Sequence, residues 1–126
     1  MSSNILKLQK SGGDPSIEVV VGHAHWGTYK VKLWDKNGQN PKEIGTGFSG
    51  DNIDDELTIG KISTLNDRYL SWKVRTASLN PAAGDQYQVT ILIRQKGHTV
   101  DGGVYSYSGE LDTVQTVGGF VKIQVV

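Results

Sequence analysis

Two tryptophans, Trp26 and Trp34, are the residues of this sequence whose type and spacing most suggest chemistry. An indole has a flat apolar face that stacks on a sugar ring or another planar ligand, and an N–H that donates a hydrogen bond. His23, His25 and Lys32 lie close by in sequence and would add polar contacts, so these five residues form the candidate ligand surface. In Gly22-His23-Ala24-His25-Trp26 the two imidazoles fall on one side of an extended backbone, as two nitrogen ligands of a metal ion would. Two ligands do not complete a metal site, and the plain reading is a pair of solvated histidines on the rim of a pocket.

A second cluster is acidic. Asp51-Asn52-Ile53-Asp54-Asp55-Glu56 places four carboxylates in six positions, an oxygen-rich run that suits calcium through Asp51, Asp54, Asp55 and Glu56. Its spacing is not that of an EF-hand, and the same residues would serve as a hydrated turn or keep a foreign strand off a sheet edge. Gly45-Thr46-Gly47-Phe48-Ser49-Gly50 matches a dinucleotide fingerprint in letters only, because the acidic run follows where a helix N-terminus should receive phosphate. It reads as a glycine-rich turn. No serine stands in a nucleophile elbow, and a cysteine nucleophile is excluded because the chain has no cysteine. The reading is therefore not an enzyme, with a small hydrolase ranked third behind two binding roles.

The elements that must carry these residues are strands. Sixteen glycines, three prolines and many Val, Ile, Thr and Tyr residues favour short strands and tight turns. Period-two alternation points Ile17, Val19 and Val21 inward, and likewise Tyr29, Val31 and Leu33, then Leu70, Trp72 and Val74, then Tyr87, Val89, Ile91 and Ile93. Further strands are expected over Ile5 to Gln9, Lys42 to Phe48, Glu56 to Ile62, Gly103 to Leu111 and Thr116 to Val126, the last with Val121, Ile123 and Val125 inward. Turns are expected at Lys36-Asn37-Gly38, Asn80-Pro81 and Asp101-Gly102-Gly103. Trp26 and Trp34 share the outward parity of Thr28, Lys30 and Lys32. Large indoles there need a cover, whether another element of the chain, a second subunit or a ligand.

Residues Leu79 to Tyr87, followed by the alternating Val89, Ile91 and Ile93, resemble the tyrosine corner of immunoglobulin-like and fibronectin-type sandwiches, in which a tyrosine hydroxyl bonds back to upstream backbone. The resemblance covers about fifteen residues and lacks the cysteine pair of that family. The expected fold is all-β: a single domain over residues 1–126, an antiparallel sandwich of eight to nine strands with immunoglobulin-like or related Greek-key or jelly-roll topology.

Thirteen Lys and Arg balance thirteen Asp and Glu, which argues against a nucleic-acid partner at the level of the whole chain. Lys30, Lys32, Lys73, Arg75, Arg94 and Lys96 would still form a basic stripe if their strands were neighbours, suited with Trp34 to anionic sugars or single-stranded nucleic acid. The plain reading is a solvated sheet face with acidic partners across the strands. No run approaches the ~20 apolar residues of a membrane helix, and Met1 to Lys10 lacks the pattern of a signal peptide. Cytoplasmic residence, or export without a classical signal, is the expectation. The function these features suggest is a non-catalytic carbohydrate-binding module, lectin-like, working through outward aromatic residues. The alternative is an assembly subunit that self-associates through the same surface.

Overall fold

Alternation of small and large apolar side chains with polar ones decides the architecture, because each strand must bury one face and wet the other. The computed structural model describes residues 5–22, 26–49, 55–77, 86–110 and 114–126. They form nine strands: β1 (Ile5–Leu8), β2 (Ser16–Val21), β3 (Trp26–Trp34), β4 (Lys42–Ser49), β5 (Asp55–Thr58), β6 (Tyr69–Ala77), β7 (Gln86–Gln95), β8 (His98–Glu110) and β9 (Val114–Val125). The only helical turn among the described residues is the 3₁₀ segment Ile62–Thr64. The expected strand over Glu56 to Ile62 therefore stops at Thr58.

Two sheets face each other, one ordered β1-β9-β6-β3-β4 and the other β5-β2-β7-β8. The inward residues of both interleave into one core: Leu6, Leu8, Ile17, Val19, Val31, Leu70, Trp72, Val74, Val89, Ile91, Ile93, Val121 and Ile123 are all buried. Ile59 and Leu65 are buried with them. Trp72 is inward as its parity demands. Its indole N–H crosses the sandwich to the Tyr107 hydroxyl at 3.0 Å, and its ring lies 4.8 Å from that of Tyr105. Gly119, directly opposite Trp72 on β9, lets the indole in: a Cβ there would stand 2.8 Å from the Tyr107 hydroxyl and 3.0 Å from the indole.

The sandwich is the expected one, and its connections are of the Greek-key kind. Strands β2 to β5 form a double hairpin with β3 and β4 as inner pair and β2 and β5 as outer pair; β6 to β9 repeat this with β7 and β8 inside. The pairs β3/β6 and β2/β7 join the two units, and in each unit the fourth strand returns beside the first, β5 beside β2 and β9 beside β6, as in a Greek key. An immunoglobulin sandwich keeps its last two strands paired in one sheet. Here β8 and β9 lie in opposite sheets. The upstream part of the expected tyrosine corner, residues 78–85, is outside the described residues, as is the Asn80-Pro81 turn.

Three local expectations are corrected. The sandwich is not wholly antiparallel, because β1 runs parallel to β9 with Ile5 opposite Lys122 and Leu8 opposite Val125. The β7–β8 hairpin ends at Lys96-Gly97, with φ of 51° and 77°, the paired positive angles of a two-residue I′ loop, and Gln95 opposite His98. Asp101, Gly102 and Gly103 belong instead to a bulge in β8, where Val100 to Gly103 stand opposite Ile93 alone. Gly45 to Ser49 is strand and not turn: Gly45 and Gly47 face inward in β4, and Tyr29 packs its ring where a Gly47 Cβ would be.

Candidate functional site

Strands β3, β6 and β9 are consecutive in the five-stranded sheet, and their register brings outward residues from distant parts of the chain side by side. Trp34 lies opposite Tyr69, and Ser71 lies between Lys32 on β3 and Phe120 on β9. The Tyr69 and Phe120 rings are 6.4 Å apart at 55°. Together Trp34, Tyr69 and Phe120 form an aromatic shelf two strand spacings wide, about 10 Å. The shelf floors a cleft of about 360 Å³ lined by Trp34, Asn37, Gly38, Tyr69, Ser71 and Phe120. Phe120 is 55% exposed, so its ring face is open to a ligand.

The shelf is held in place from below and beside. The Trp34 indole N–H donates to the Ser71 hydroxyl at 2.8 Å, which fixes the ring plane. That donor, expected to serve a ligand, is thus used within the protein, and the ring face is what Trp34 presents. Lys32 sits 6.0 Å over the same ring, at the outer limit of a cation–π contact. Arg68 Nε donates to the Trp34 carbonyl at 3.1 Å.

One rim of the cleft is the β3–β4 turn. Its geometry is set by the Asp35 carboxylate, which accepts from the backbone N–H of Gln39 (2.8 Å), the side-chain amide of Asn40 (2.8 Å) and the N–H of Asn37 (3.0 Å). The Gln39 N–H and the Asn40 amide, aided by the Asn37 N–H and the charge of Arg68, hold this carboxyl below the usual carboxylate range. A depressed pKa in the folded chain means the carboxylate supports the turn above the ordinary value of about 3.9 and releases it as pH falls through the lower folded value. Asn37 and Gln39 amide resonances are therefore expected to shift together in strongly acid solution and to be insensitive to pH between about 5 and 8. A midpoint above the ordinary carboxylate value would contradict this.

Of the residues singled out from sequence, Trp34 and Lys32 are in this site. Trp26 is at the other end of β3, eight residues away, or about 26 Å of extended strand, so one small ligand does not span both tryptophans. The side chains of Trp26 and Asp55, and the whole of His23, His25, Asp51 and Asp54, lie outside the described residues. Glu56 is described and committed: it accepts from the Ser16 hydroxyl at 2.8 Å and faces Arg94 Nη1 at 3.6 Å. Among the described residues no cluster of three or more His, Asp or Glu could hold a metal ion. Tyr69, Ser71 and Phe120 were missed in the sequence, although each has outward parity beside an inward Leu70, Trp72 or Val121.

The basic stripe divides. Lys30, Lys32, Lys73 and Arg75 meet on the outer face of the five-stranded sheet, in a cleft of about 530 Å³ next to the shelf, with Thr28, Thr46 and Thr116. Arg94 lies on the opposite sheet, paired with Glu18 and Glu56, and Lys96 is in the β7–β8 turn. A third concavity, about 580 Å³, lies between β1 and the β7–β8 hairpin and is lined in part by Lys7, Lys96, His98 and Asp101.

Among the described residues no helix is long and apolar enough to cross a membrane. No protein-family profile matches this chain, and no curated protein matches it in sequence. A solved structure, that of a domain of unknown function, DUF4425, from Bacteroides vulgatus, resembles it at 11% sequence identity and a TM-score of 0.49, covering 90% of this chain and 97% of that one.

Proposed function

We propose that this protein is a non-catalytic carbohydrate-binding module whose site is the outer face of the five-stranded sheet. The observation that supports this is the shelf of Trp34, Tyr69 and Phe120. Three rings from three adjacent strands flank a shallow cleft, with the Trp34 plane fixed by Ser71. Sugar rings stack on such planes while hydroxyl-bearing side chains meet their polar edges. Ser71 supplies a hydroxyl and Asn37 an amide; the Ser71 hydroxyl accepts from the Trp34 indole and has its own hydrogen to donate to a ligand oxygen.

A glycan-array screen followed by calorimetry on a positive glycan tests the reading. Trp34→Ala is expected to weaken binding by about 2 kcal/mol, roughly 30-fold, while the melting temperature moves by only a few degrees. Unchanged affinity, or a collapse of stability, would assign Trp34 to the fold and remove the site.

A second reading has its own support. Ile5, Val114 and Phe120, three exposed large hydrophobic residues, all lie on strands of this same sheet, β1 and β9. A second copy of the chain could cover them. A blank glycan array together with a mass that doubles on concentration would favour assembly.

A further inference from the structure

The neutrality of the whole chain hides a separation of charge between its two outer faces. Strand parity and register turn Lys7, Lys30, Lys32, Lys73, Arg75 and Lys122 outward from the five-stranded sheet, against a single carboxylate, Glu43, among the described residues. On the four-stranded sheet the outward charges are Glu18, Glu56 and Glu110 against Arg94. Glu43 neutralises little, since it stands 3.8 Å from Lys30 with both side chains about half exposed. Four of the cations line the 530 Å³ cleft that adjoins the aromatic shelf.

Lys32, Lys30 and Thr28 follow one another at two-residue steps along β3, with Ser71, Lys73 and Arg75 opposite them on β6. A chain-like ligand stacked on Trp34 and lying along these strands would meet a charged or hydroxyl-bearing side chain at each step of about 6.7 Å. Cations clustered on one face with only a single, half-exposed carboxylate among them cost self-repulsion, which an anionic ligand relieves. We propose that the ligand is an anionic glycan, a polysaccharide bearing carboxylate or sulfate groups. Its rings stack at the Trp34 shelf and its charges lie over Lys30, Lys32, Lys73 and Arg75. This rests on the carbohydrate reading above and adds the class of sugar. Threonine hydroxyls from Thr28, Thr46 and Thr116 line the basic cleft, where a single-stranded nucleic acid would need further stacking planes between the cations.

The test measures binding of the intact protein to polygalacturonate, chondroitin sulfate, cellohexaose and oligo(dT). The expected result is binding to one or both acidic polysaccharides, about tenfold weaker when salt rises from about 50 to about 500 mM. The double variant Lys73→Glu, Arg75→Glu should abolish it without moving the melting temperature. Preference for polygalacturonate assigns carboxylate recognition, and preference for chondroitin sulfate assigns sulfate. Equal, salt-independent binding of cellohexaose and the acidic glycans would overturn the anionic class and leave the carbohydrate site standing. Failure of every glycan to bind would overturn both, and tighter binding of oligo(dT) than of either polysaccharide would assign the face to nucleic acid.

Discussion

Trp72→Ala is expected to destabilise the protein by about 4 kcal/mol, lowering its melting temperature by on the order of 15 °C. The indole fills the space between the sheets, packs on Tyr105, and is 3% exposed. Alanine would leave a cavity that the two sheets cannot close, because β6 is tied to β3 and β9 on both sides. Trp72→Phe keeps most of the apolar volume and removes the N–H donor to Tyr107, so about 1 to 2 kcal/mol is expected. Tyr107→Phe removes the same bond from the other sheet. The double phenylalanine variant should therefore cost less than the two single changes added together, because one interaction is lost once. Additive losses in chemical denaturation would mean that the cross-sheet bond does not contribute to stability.

The same residue shows what was legible in the sequence. Inward and outward faces follow from a period of two, which needs no knowledge of neighbours, so Trp72 could be placed in the core and Trp34 on the surface from their strands alone. Tyr69 and Phe120 were equally outward by parity. Their meaning depends on β3, β6 and β9 being adjacent, a pairing across more than thirty intervening residues that no local pattern encodes. Charge failed for the same reason: counting gives zero, while register puts six cations on one outer face with a single carboxylate, Glu43, and three carboxylates on the other with a single cation, Arg94. The β7–β8 turn was misplaced because Asp101-Gly102-Gly103 has favoured turn residues, whereas Lys96 adopts a positive φ that lysine seldom takes. The glycines of β4 were mistaken for a turn because their role is to make room for Tyr29 and Leu57, which is visible only in three dimensions.

Gln95 is a buried polar residue whose whole use is to fasten the sandwich at one end. It is 6% exposed. Its amide oxygen accepts from the Gln9 N–H at 3.0 Å, and its amide nitrogen donates to the carbonyls of Gln9 (3.0 Å) and Gly13 (2.8 Å). Those backbone groups belong to the β1–β2 connection, just where the ladder to β9 ends with the Lys10 N–H on the Val126 carbonyl. Gly12 lies so close that a Cβ there would meet the Gln95 amide at 2.8 Å. Gln95→Ala is expected to cost about 2 kcal/mol, because it strands the Gln9 N–H and the Gly13 carbonyl, while the Gln9 carbonyl keeps its bond from the Gly12 N–H at 2.9 Å. Gln95→Glu separates packing from hydrogen bonding. A carboxylate can still accept from Gln9, but it faces two carbonyl oxygens where the amide donated, and burial further disfavours its charge. Its folded pKa should therefore lie above the ordinary glutamate value of about 4.3. The protonated acid regains a donor, so its contribution is fully present below that ordinary value and disappears as pH rises through the folded one. Denaturation from acid to neutral pH should show Gln95→Glu losing stability relative to the parent, while the deficit of Gln95→Ala stays constant. Parallel behaviour of the two variants would mean that shape alone, and not the amide's donors, holds the β1 edge beside the strand that carries Phe120.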